Sequence, residues 1–169
     1  MAVETLFKSD SCAIGLSNGV FLCVWVGEAT VEAADQIEQS ITKRSGEFPK
    51  GIGLVTIVPE HAPPPKGPAR NRIAELLGRA QNVKGSAVCF EGSGLRATLV
   101  RSIVTGITLI GRMNFPHKVF AGLEAGTAFV HACMVQGGTP VPEKRVLIDE
   151  IAAWRQSLTA QPGAAPRAS

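Results

Sequence analysis

The chain has 169 residues, 45% of them apolar and 18% charged, with a formal net charge of +3. That leaves room for one domain with a proper core and excludes a disordered polyelectrolyte. The four cysteines (Cys12, Cys23, Cys89 and Cys133) are scattered without a C-x-x-C pair, so buried free thiols are expected ahead of a metal site or a disulfide framework.

The charge is uneven. Residues 1–60 hold 4 Lys/Arg against 8 Asp/Glu, a net −4, whereas residues 61–118 hold 9 against 2, a net +7. A basic middle suits an acidic partner, a phosphate or an anionic surface. Nucleic acid is not expected, because aromatic residues are scarce and not interleaved with these charges. Met1 to Asp10 carries Glu4, Lys8 and Asp10 around a very short apolar patch, which does not resemble a signal peptide. The longest uncharged apolar piece, Ser102 to Gly111, is about half of what a bilayer requires, so no membrane span and a cytoplasmic location are expected.

In chain order, Ala13–Leu16 and Val20–Val26 are β-prone runs separated by Ser17-Asn18-Gly19, a strong hairpin signal. Thr30 then predicts a helix cap, with Val31, Ala34, Ile37 and Ile41 as an apolar stripe and Gly46 as the stop. Ile52–Val58 is a continuous apolar run of strand length, expected to be buried on both faces and closed by Pro59. His61 to Gly67 contains Pro63-Pro64-Pro65 and predicts an extended surface loop. Pro68 suits the first turn of a helix over Ala69–Gln81, with Ile73, Leu76, Leu77 and Ala80 inward and Arg70, Arg72 and Arg79 outward.

The stretch Gly85–Gly111 predicts a buried strand, Ser86–Phe90, feeding a long helix through the turn Glu91-Gly92-Ser93-Gly94. Ser93 is placed to cap that helix. Leu99, Val100, Ile103, Val104, Ile107 and Ile110 recur at steps of three and four, extended by Leu95 and Leu109, so this helix is expected to bury one broad face at the centre of the domain. Lys118–Ala121 predicts a last short strand and Glu124–Met134 a closing helix. Residues 136–142 form a Gly/Pro linker, residues 143–160 an amphipathic helix with Leu147, Ile151, Trp154 and Leu158 on one face, and Gln161–Ser169 an Ala/Pro-rich tail expected to be disordered. Alternating buried strands and amphipathic helices predict an α/β domain over residues 1–135, with a mostly parallel sheet of about five strands and an N-terminal hairpin.

Over residues 10–134 this succession resembles the STAS superfamily, in particular its SpoIIAA-like branch, which is similar in fold to CRAL-TRIO lipid carriers. The resemblance rests on the hairpin ending in VWVGEATVEAADQI, on IGLVTIV, on SAVCFEGSG running into the long apolar helix, and on the closing KVFAGLEAGTAFV. It implies a non-enzymatic regulatory or protein-interaction module. Regulatory STAS proteins carry an Asp-Ser pair followed by Gly-Leu at the turn after the strand matching Ile52–Val58. Here that turn reads Pro59-Glu60-His61-Ala62-Pro63, with no Ser or Thr to phosphorylate, so the phosphoswitch is not expected. The EGSGL at Glu91–Leu95 has similar letters but falls one strand later.

Several residues invite chemistry. Gly92, Ser93 and Gly94 at a helix start, with Arg96 just inside, could hold an anion, although the turn lacks the Lys-Ser/Thr of a P-loop and is one glycine short of a dinucleotide fingerprint. Cys89 precedes a helix N-terminus, where a thiol can be activated, but His61, His117 and His131 cannot be placed beside it by spacing. No catalytic or metal-ligand constellation is apparent, and no cofactor is implied. A protein partner or self-association would use Pro63, Pro64, Pro65, Arg70 and Arg72, together with Leu147, Ile151 and Trp154 on the C-terminal helix, unless that helix docks on its own domain. The alternative is a carrier or sensor of a small apolar or lipid-like ligand, because the long helix has more aliphatic surface than one packing face needs. A pocket lined by Val100, Val104 and Ile107 would support that alternative.

Overall fold

The structure is a computed structural model and describes residues 2–160, so the tail at 161–169 lies outside the described residues. Six strands, β1 (Glu4–Lys8), β2 (Cys12–Ser17), β3 (Val20–Trp25), β4 (Ile52–Val58), β5 (Val83–Phe90) and β6 (His117–Phe120), lie side by side in sequence order. The β1–β2 and β2–β3 pairs are antiparallel, and the β3–β4, β4–β5 and β5–β6 pairs are parallel. Ser17 pairs with Val20 across Asn18-Gly19, whose φ angles of 49° and 80° are those of a type I′ turn.

The five strands expected from apolar runs are present, and β1 is additional. Its sequence, ETLFK, is short, half-exposed and charged at both ends, as suits an edge strand. Arg44 ties it to the following layer through an ion pair with Glu4 at 2.9 Å.

The helices are α1 (Val31–Arg44), α2 (Gly67–Arg79), α3 (Gly94–Gly111), α4 (Leu123–Gln136) and α5 (Lys144–Thr159). Thr30 caps α1 as expected, its hydroxyl accepting from the Ala33 N–H at 3.1 Å. Because β3 to β6 follow one another across the sheet, the crossover helices α1, α2 and α3 share one face, the front, packed on Phe21, Ile52 and Leu54. On the back, α4 and α5 bury Val130, Met134, Leu147, Ile151 and Trp154 against Leu22, Val55, Ile57 and Cys89.

Close approach of α4 requires glycine. A methyl on Gly53 would overlap Val130 and Met134, and one on Gly126 would overlap the Cys89 thiol. The apolar side of α5 is thus covered by its own domain: Trp154 Nε1 donates to Thr5 Oγ1 at 3.0 Å, and the Ser17 hydroxyl donates to Glu150 at 2.8 Å.

The expectation for α3 is overturned. Only Val104 and Ile107 are buried, whereas Leu95 is 90% exposed, Leu109 73%, Ile110 54% and Leu99 49%. Its aliphatic residues spread over more of the helix than one face, so a helix seated on one side of a sheet cannot bury them all. Ser93 occupies the N-cap position with extended backbone, but its side chain makes no capping hydrogen bond.

Candidate functional site

Between the front of the sheet and the layer α1–α3 lies an apolar cavity of about 200 Å³. Its floor includes Thr56 and Val58 of β4 and Val88 and Phe90 of β5, and Val100, Ile103, Val104 and Ile107 of α3 form its roof. Ile37 of α1 and Ile73 of α2 close one side, and Pro63, Pro64 and Pro65 line the rim. β4 is flanked by strands on both edges and covered by helices on both faces, yet Thr56 and Val58 remain half-buried. They face space that no side chain fills. The proline loop adds a rim of fixed backbone, since each Pro ring locks its own φ.

Polar side chains on the lining are few: Thr56, Glu60, Arg96 and His117. Arg96, exposed at the start of α3, donates to the Glu60 carbonyl and so links the roof to the loop after β4 without losing its charge. His117 Nδ1 and Ser86 Oγ are 2.9 Å apart, hydrogen-bonded across the parallel β5–β6 pair. Burial lowers the His117 pKa from 6.5 to about 4, so the ring is neutral at physiological pH. An apolar chamber with a few polar groups at fixed places suits a ligand with an apolar body.

The residues expected to bind a partner are dispersed. Pro63, Pro64 and Pro65 stay at the surface around the cavity rim. Arg72 is engaged within the fold, donating to Asp35 at 2.7 Å and to Glu38, both on α1. Arg70 is half-buried, with its Nε enclosed. Leu147, Ile151 and Trp154 are buried in the back core, which corrects the expectation that they present an interaction face: the back of the sheet is itself apolar and takes them up. Gly92, Ser93 and Gly94 do form the turn before α3, with Gly92 against the Phe90 ring and Gly94 at a φ of 66°.

Cys89 points to the back layer, away from the cavity, and burial together with the Glu91 carboxylate pushes its thiol up to about 12. This reverses the activation that a nearby helix N-terminus suggests. Of the histidines, His117 faces the opposite layer and His131 Nε2 is hydrogen-bonded to the Pro142 carbonyl at 3.0 Å. All four cysteines are free, and three are buried, as expected of core thiols. Among the described residues no group of three His, Cys, Asp or Glu side chains gathers to hold a metal ion.

Thr56 was not singled out from the sequence, and His117 was weighed only as a base for Cys89, not as a residue of this cavity. The available signal was Thr56 itself, the one polar residue in IGLVTIV. In comparisons with family models, with curated proteins and with solved structures, nothing matches this chain.

Proposed function

We propose that this protein is a non-enzymatic carrier or sensor of a small, largely apolar ligand, held between the sheet and α3. The observation that supports it is the 200 Å³ cavity, whose roof is formed by the residues Val100, Val104 and Ile107. An apolar cavity of about 150 Å³ is enough to take up benzene, so this one suits a body somewhat larger than a single ring, or a short alkyl chain. The neutral His117 supplies one hydrogen-bonding position inside, and Arg96 supplies a cation at the rim. A STAS-like, SpoIIAA-like identity is part of the same proposal; the hairpin followed by alternating strands and helices supports it.

The test is titration with a fluorescent fatty-acid probe. Saturable binding is expected in the native protein. Val100→Trp, which fills the cavity from its roof, should weaken the probe at least about tenfold while the far-UV dichroism is retained. Absence of saturable binding, or unchanged affinity in Val100→Trp, would remove the reading.

A regulatory interaction module is the second proposal. The exposed proline rim favours it, because a stiff loop loses little entropy on docking. A complex retained through purification and abolished by replacing Pro63, Pro64 and Pro65 with Ser would support it; a complex that survives those replacements would place the contact elsewhere.

A further inference from the structure

We infer that the outer face of α3 is a docking surface for an anionic phospholipid bilayer. This goes beyond the cavity reading and, apart from Arg96 and Leu99 at the cavity's edge, stands on other side chains. On a helical projection Leu95, Leu99, Ser102, Gly106, Leu109 and Ile110 form one stripe, opposite the buried Val104 and Ile107. Four of these are large aliphatics left in water, and Leu95 and Leu109 are 90% and 73% exposed. Two of the polar groups on the helix, Thr105 and Thr108, return their hydroxyls to the carbonyls of Arg101 and Val104 at 2.9 and 2.8 Å. At 18 residues and a mean hydropathy of 1.2, the helix is long and apolar enough to span a bilayer by length and composition, but here its inner side roofs the cavity and its far end packs on α2.

Charge selects the occupant. Gly94–Gly111 contains no Asp or Glu, while Arg96 and Arg101 flank the apolar stripe and Arg112 follows its end, all exposed. Apolar residues bordered by arginine match a helix lying in the plane of an anionic interface, with the leucines below the headgroups and the guanidinium groups among the phosphates. A second copy of this chain is disfavoured by the same pattern, since a symmetric contact through this face would set one cationic border against another with no acid between them.

The experiment is co-sedimentation of the full chain with vesicles of phosphatidylcholine alone and of phosphatidylcholine mixed with phosphatidylglycerol. Binding to the mixed vesicles is expected, weakening as salt rises. The double variant Leu95→Gln/Leu109→Gln should lose at least about tenfold in partitioning, and Arg101→Gln about fivefold. Because these side chains are exposed, the variants should keep the native melting curve. The inference is overturned if the native chain ignores the mixed vesicles, if it binds both vesicle types equally, or if the double variant partitions unchanged. It is also overturned if, without vesicles, the double substitution converts a dimer into a monomer. The fatty-acid probe is measured on the same samples: probe binding without vesicle binding removes the docking surface and leaves the carrier, and the converse removes the carrier alone.

Discussion

His117 and Cys89 show how one sheet gives its two faces different chemistry. The two residues stand on neighbouring strands, His117 toward the cavity and Cys89 toward α4. For His117 the folded pKa, about 4, lies below the ordinary 6.5, so between these values the unfolded chain binds a proton that the native state refuses. Its contribution to stability is therefore complete above pH 6.5, is lost as pH falls toward 4, and amounts to about 1.4 kcal/mol per pH unit separating the two pKa values. Urea unfolding of the native chain should show that decline, and His117→Gln should flatten it over the same interval; parallel curves would mean that the ring is already solvated. The prediction for Cys89 is one of inertness. With its thiol buried and raised to about 12, iodoacetamide at mildly alkaline pH should label the half-buried Cys133 and spare Cys89 until denaturant is added. Peptide mapping by mass spectrometry reads this directly, and early labelling of Cys89 would contradict its placement.

At the scale of the element, α3 is held unequally. Near its C-terminus Gly111 packs so closely on Ala74 and Gly78 of α2 that a methyl at Gly111 or Gly78 would overlap the facing backbone. Its N-terminal turn rests on the rim of the cavity, with Leu95 in solvent and no side-chain cap. Amide hydrogen exchange should accordingly be faster over residues 95–101 than over 104–110, and a ligand in the cavity should narrow the difference. Uniform protection along the helix would rule out this asymmetry. The same helix marks where sequence reading ended. Strands β2 to β6 and the helices were legible because continuous apolar runs, the Asn18-Gly19 turn and the Thr30 cap are local signals. For α3 the aliphatic residues extend beyond one face, and the sequence alone cannot say which of them find a neighbour to cover them. The cavity was anticipated from surplus aliphatic surface on α3, with Val100, Val104 and Ile107 as its lining, but its floor at Thr56 and its polar group His117 depend on which strands lie beneath the helix. Burial of Leu147, Ile151 and Trp154 on their own domain was likewise a tertiary fact that amphipathicity alone left open.

Over the whole molecule the two layers divide the work. The back is closely packed: α4 is drawn onto β4 by Gly53, and α5 adds Trp154 and Ile151. The front keeps a cavity under a helix whose apolar residues face both inward and outward. Stability should therefore respond oppositely on the two sides. Trp154→Ala removes a buried ring and its hydrogen bond to Thr5, and should cost about 3–5 kcal/mol by denaturant unfolding. Val100→Leu adds one methylene to the cavity roof, where there is room for it. It should stabilise the empty protein by up to about 0.8 kcal/mol, the value of one buried CH₂, while weakening the fatty-acid probe. The opposition carries the argument, because a chamber retained for binding is one whose filling strengthens the fold and harms the function. If Val100→Leu destabilised the chain as core overpacking does, by about 1–3 kcal/mol, the space beneath α3 would already be occupied by side chains in solution, and the carrier reading would lose its physical basis.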